Sequence, residues 1–113
     1  MGYYDDLPEL DINEKLEDAR MVRNKVLVDV RTPEEYAEGH VPGAINIEDV
    51  LCGRGNEEYI ESVLPDKEAR VYMYCESGSR SGIASAFLKQ MGYARAENIG
   101  GFENYEGPVE KED

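Results

Sequence analysis

The chain has 113 residues, of which 41% are hydrophobic and 33% charged, and its formal net charge is −13. That size fits one compact domain whose core needs neither disulfides nor metals, and no apolar run is long enough to cross a bilayer. The excess of acid argues against nucleic acid or an anionic membrane as a partner, because both need basic patches. The first residues, MGYYDDLPEL, lack the basic and apolar regions of a signal peptide, so a cytoplasmic location is expected. Cys52, Cys75 and the single His40 form no close pair of ligands. Neither a disulfide framework nor a structural zinc site is expected.

In chain order, LDINEKLEDARMV predicts a short helix with Asn13 as N-cap and Leu16 and Ala19 inward. KVLVDV, from Lys25 to Val30, is a continuous apolar run that admits one Asp. It predicts a strand buried on both faces, and hence a parallel one. In RTPEEYAEGH, Thr32 can cap, Pro33 suits the first helical position and Glu35 can close a capping box. A helix from Pro33 to Glu38 follows, ended by Gly39 in a left-handed conformation. VPGAINI predicts a turn and a short strand over Ala44 to Ile47. Asn56 can cap a helix that runs through Leu64 and stops at Pro65. RVYMY predicts another buried strand. In SGIASAFLKQMG, Ala84, Phe87, Leu88 and Met91 share a helical face and Gly92 is the terminator. ARAENI predicts a last strand, GGFENY a turn into a short helix, and residues 107–113 a charged, frayed tail. Strands alternate with helices, which predicts an α/β fold with a parallel sheet covered on both faces.

The loop in YCESGSRSG, from Tyr74 to Gly82, joins the RVYMY strand to the helix expected to begin near Arg80 or Ser81. Ligands of open α/β sheets bind at the carboxyl ends of the strands, and Cys75 sits at one. Its thiol then faces a helix N-terminus, with unpaired N–H groups and the positive end of the dipole. The dipole favours a nearby anion by up to ~2 kcal/mol, about one unit or more of thiol pKa, and N–H bonds to sulfur add to this. Arg80 helps the thiolate and Glu76 opposes it. A Cys and an Arg with four residues between them also fit a buried strand-end thiol and a surface charge; the strand–loop–helix setting favours the functional reading. His40 is expected to be a packed turn residue bonded to backbone, and Cys52 a free cysteine.

These segments resemble the rhodanese family. VLVDVRTPEEYAEGHVPGAINI is similar to its long Asp-x-Arg motif, and VYMYCESGSRSGIASAFLKQMGY to its active-site strand, loop and helix. ENIGGFENY is similar to its closing Gly-Gly segment, and LDINEKLEDA resembles its opening helix. The resemblance implies a single α/β domain over residues 1–113 with a five-stranded parallel sheet and helices on both faces. It also implies a double-displacement sulfurtransferase in which Cys75 takes sulfane sulfur from thiosulfate, polysulfide or persulfide. The acceptor would be cyanide or a thiol, a protein thiol among them, and no cofactor is implied. The resemblance makes Glu76, Ser77, Gly78, Ser79, Arg80 and Ser81 the loop that binds the persulfide, with Arg80 meeting anionic substrate. It gives Asp29 and Arg31 a supporting structural role, and puts Tyr105 where the family has a tryptophan. Glu76 departs from the basic surroundings of thiosulfate-using members. A binding or sulfur-carrier module without turnover is the alternative from another class. Phosphatases and arsenate reductases of the same fold have one more residue between Cys and Arg; the four residues ESGS make a cradle better sized for one sulfur than for a phosphoryl group.

Overall fold

The computed structural model of the chain describes residues 10–52 and 55–112, without the side chain of Cys52. Helix α1, Ile12–Ala19, leads into strand β1, Lys25–Asp29, and helix α2, Pro33–Glu38. Strand β2, Ile45–Asn46, is followed by a 3₁₀ turn, Glu48–Cys52, and helix α3, Glu57–Val63. Strand β3, Arg70–Cys75, helix α4, Ser79–Gln90, and strand β4, Ala96–Gly101, complete the frame before a last 3₁₀ turn, Phe102–Asn104. All pairings are parallel, in the order β2-β1-β3-β4. Among the described residues the sheet thus has four strands, one fewer than the resemblance implies. The sequence itself offers four extended runs, KVLVDV, AINI, RVYMY and ARAENI, and each overlaps one of these strands.

The pleat of β3 separates two cores, because alternate residues face opposite sides of a sheet. Val71, Met73 and Cys75 join Val28, Ile60, Leu64, Ala84 and Leu88 on the side of α3 and α4. Tyr72 and Tyr74 join Ile12, Ala19, Val41 and Ile99 on the side of α1. Cys75 is therefore a core residue at the carboxyl edge of β3, beneath the start of α4.

Local signals are realised where they are self-contained. Helix α2 has the predicted bounds, Pro at its start and both halves of the Thr32–Glu35 capping box. Its terminator differs. Gly39 has φ 163° and ψ 133°, which is extended backbone and not the left-handed region; the tail, packed close, explains its glycine, since a Cβ there would lie 2.9 Å from Val109. The cap of α1 is Asp11, which accepts from the Asn13 N–H at 3.0 Å. Asn13 instead ties α1 to the closing segment, donating to Asn104 O at 2.8 Å and accepting from Glu106 N at 2.9 Å. The tail expected to fray forms an antiparallel bridge between Glu110 and His40, and Glu112 N donates to Ala37 O at 2.9 Å.

Candidate active site

The loop after β3 folds around the sulfur of Cys75. Gly78 takes φ 98°, a left-handed turn that glycine adopts without penalty. It brings the chain back over Cys75 and starts α4 at Ser79, slightly earlier than expected. Cys75 Sγ accepts from Gly78 N at 3.1 Å, from Ser81 N at 3.3 Å and from Ser81 Oγ at 3.4 Å. Neither Cys75 nor Ser81 has measurable contact with solvent, both being 0% exposed. Burial pushes the thiol toward its neutral form. The Ser81 hydroxyl and the N–H groups of Ser81, Gly78 and Ser77 outweigh that, and hold its pKa below the ordinary value. Ser77 contributes its backbone N–H only; its hydroxyl bonds the Ser79 hydroxyl at 3.0 Å on the outside and accepts from Ser79 N at 3.4 Å.

Strand β4 supports the loop from below. Its register slips beside Met73 and Tyr74, so that Asn98 pairs with Met73 and Gly100 with Tyr74, leaving Ile99 as a bulge. The bulge aims Asn98 at the loop. Its Nδ2 donates to Gly78 O at 2.9 Å, and its Oδ1 accepts from Gly100 N at 3.0 Å and lies 2.7 Å from Ser81 Oγ, whose single proton it shares with the more distant Cys75 Sγ. Gly101 lies so close that a Cβ would stand 2.5 Å from Glu76 O. An open cleft of about 750 Å³ borders this wall, lined by Ser77, Gly78, Gly101, Glu103 and Tyr105 among others.

Two arginines flank the loop. Arg31, two residues past the end of β1, wraps back on Asp29, with Nε 3.1 Å from both carboxylate oxygens and Nη2 2.9 Å from Oδ2. Its Nη2 also donates to Gly39 O, and its guanidinium lies 4.4 Å from the centre of the Phe102 ring. Burial opposes the charge on Arg31, and Asp29 more than compensates, so the guanidinium is held protonated above its ordinary range. The remaining nitrogen, Nη1, donates to Glu76 Oε1 at 3.3 Å. Arg80 makes a fork to Glu35 at 2.9 and 3.1 Å. That contact, with smaller help from Thr32, pulls the Glu35 pKa down to about 2. The guanidinium expected to serve the thiolate is thus turned to a carboxylate of α2. His40 Nδ1 lies 2.8 Å from Tyr36 O, and its ring stacks on Tyr36 at 3.7 Å.

Residues 11–107 match the model of the rhodanese-like domain. The chain belongs to this family. It is 42% identical over 84 residues to the thiosulfate sulfurtransferase PspE of Escherichia coli, covering 74% of this chain and 77% of that protein. A sulfurtransferase of Allochromatium vinosum is 41% identical over 76 residues, which cover 67% of this chain and 65% of that protein. Among solved structures, a rhodanese with anions from E. coli aligns with a TM-score of 0.66 at 40% identity, over 77% of this chain and 98% of that one.

Within this rhodanese-like domain the cradle brings together Cys75, the backbone of Ser77 and Gly78, and Ser81. It does not bring the Arg80 guanidinium into a hydrogen bond with sulfur; that group is committed to Glu35. Sequence reasoning missed Asn98. The signal was an amide two residues before a Gly-Gly pair inside a strand, where a glycine marks a bulge or a close backbone approach. It also missed Phe102, which carries the Arg31 guanidinium on one side and stacks on Tyr105, 5.6 Å away. Tyr105 donates its hydroxyl to Pro108 O at 2.7 Å.

Proposed function

We propose that this rhodanese-like domain is a sulfurtransferase that carries sulfane sulfur on Cys75 by double displacement. The observation that supports it best is the pair of backbone donors converging on one buried sulfur, Gly78 N and Ser81 N, with the Ser81 hydroxyl 3.4 Å away. A thiolate is the attacking species in such exchanges, and the lowered thiol pKa raises its fraction at neutral pH. Cys75 Sγ attacks the outer sulfur of the donor. A new S–S bond forms, and the donor's own bond to that sulfur breaks, its electron pair leaving with the remnant. The product is a Cys75 persulfide anion, for which the N–H groups of the loop and the start of α4 are suitable partners. A nucleophilic acceptor, cyanide or a thiolate, then takes the terminal sulfur and returns the Cys75 thiolate. No general base is required, because both attacking groups are already anions. Glu76 to Ser81 form the cradle, with Asn98 holding Gly78 and Ser81 in place. Asp29 and Arg31 act as its buried support.

The test is persulfide formation followed by mass spectrometry. A sulfur donor should add the mass of one sulfur atom to the peptide that contains Cys75, and cyanide should remove it. Cys75→Ser should abolish both adduct and turnover, while Cys52→Ser should keep most activity. Adduct formation without turnover would favour a carrier module, and no adduct would overturn the reading.

A further inference from the structure

Both guanidinium groups beside the cradle already face carboxylates. On Arg31, Asp29 takes Nε and part of Nη2, Gly39 O takes the rest of Nη2, and Phe102 covers a face. Glu76 Oε1 takes Nη1 at 3.3 Å. On Arg80, both terminal nitrogens fork onto Glu35. The Arg80–Glu35 pair is balanced in charge. The Asp29–Arg31–Glu76 group carries one more negative charge than positive. Glu76 follows the nucleophile directly in sequence, and its side chain is 45% exposed against 4% for Arg31. An incoming anion therefore meets the carboxylate before it meets the guanidinium. Glu103 adds acid at the neighbouring cleft, and the chain as a whole carries −13.

We infer that Glu76 is a specificity-determining residue: it occupies the outward nitrogen of Arg31 and selects sulfur donors of low negative charge over dianionic donors such as thiosulfate. This inference rests on the proposed reaction. It also separates this chain from what the name of its E. coli relative says of that protein. Donor binding then relies on the neutral N–H groups of Ser77, Gly78 and Ser81, which favour sulfur without demanding a second charge. A donor that bears a single negative charge loses little. A dianion loses about three- to tenfold more per added charge, for a separation of about 6 Å and an effective dielectric between about 80 and 40.

The experiment compares thiosulfate with methanethiosulfonate, each with cyanide as acceptor. Both give up an outer sulfur bonded to an oxidised sulfur. Thiolate attack on the first releases sulfite, a dianion, and on the second methanesulfinate, a monoanion; the persulfide formed is the same. Intrinsic reactivities differ, so the readout is the change in the ratio of the two kcat/KM values. Glu76→Gln should shift that ratio toward thiosulfate by roughly three- to tenfold, and Glu76→Asp should leave it near the starting value. The shift should shrink as salt rises from about 10 to about 500 mM, as screening requires. An unchanged ratio in Glu76→Gln, or the same shift in Glu76→Asp, would overturn the inference. If Cys75 still gains sulfur from either donor in that case, the proposed reaction stands. Failure of both donors to load Cys75 in the unmodified chain would overturn the reaction and, with it, this inference.

Discussion

Arg31 and Arg80 flank one loop, and each is held by a carboxylate, but water treats the two pairs differently. The side chains of Arg31 and Asp29 are 4% and 0% exposed. Those of Arg80 and Glu35 are 34% and 32% exposed. A buried pair is not a large net source of stability, because both ions lose their hydration; breaking it by removing one partner is nevertheless costly. A surface pair contributes little either way, since solvent and salt screen it. The same residue chemistry therefore serves as a fixed support at one side of the cradle and as an adjustable charge at the other.

The largest expected effect follows from the buried side. Arg31→Ala would leave the Asp29 carboxylate with no counter-ion and would also strip Gly39 O and Glu76 of a donor. It should lower unfolding free energy by about 3–5 kcal/mol in urea titration. Arg80→Ala should lower it by only about 0–1 kcal/mol. Equal losses would mean that burial does not separate the two pairs. Arg31→Lys should fall in between, because it keeps a charge but cannot reproduce the fork onto both Asp29 oxygens.

The contrast also explains what could be read before the structure was known. The bounds of α2 follow from Thr32, Pro33 and Glu35, whose interactions lie within one turn of each other. Cys75 could be placed at a strand end because RVYMY and the following helical face are both continuous in sequence. The alternation of strands and helices was enough for the parallel α/β architecture. By contrast, Asn98 reaches Ser81 and Gly78 across 17 and 20 residues, and Arg31 and Glu76 are 45 apart. No local rule announces such contacts. The charged tail was expected to fray; its hydrogen bonds go to His40 and Ala37 far upstream, contacts that no local signal announces. Arg80 was expected to help the thiolate from its place in the loop; its charge does act on Cys75, while its hydrogen bonds go to Glu35, a partner that no local rule announces.

A smaller effect tests that last point. If Glu35 holds the charge of Arg80, removing either partner should move the Cys75 pKa in opposite directions. Arg80→Ala takes away a cation that interacts with Cys75 and should raise it. Glu35→Gln releases the cation and should lower it. Each change should be no more than about half a unit, equivalent to ~0.7 kcal/mol. The measurement is the pH dependence of Cys75 alkylation in a Cys52→Ser background, which should have its midpoint below that of an ordinary thiol. Shifts of the same sign would show that the substitutions act through loop shape and not through charge.

The smallest effect concerns the exposed pair and acid. The pKa of Glu35 is held near 2, against an ordinary value of 4.5, chiefly by its hydrogen bonds from Arg80. A depressed carboxyl favours the folded state when ionised. Its contribution is therefore fully present above about pH 4.5, declines as pH falls, and is gone once pH drops through about 2. Solvent reaches about a third of both side chains, so the contribution should be ~1 kcal/mol or less. Glu35→Gln isolates this charge, because glutamine can still complete the capping box with Thr32. The unfolding free energies of the two proteins should differ by that amount at pH 6 and converge toward pH 2, and the difference at pH 6 should shrink in high salt. The Arg31 site supplies the counter-example: the loss in Arg31→Ala should resist added salt, since water and ions do not reach the buried fork. A Glu35 difference that persisted at pH 2 would come from packing around α2, and the exposed pair would then be a structural clamp like the buried one.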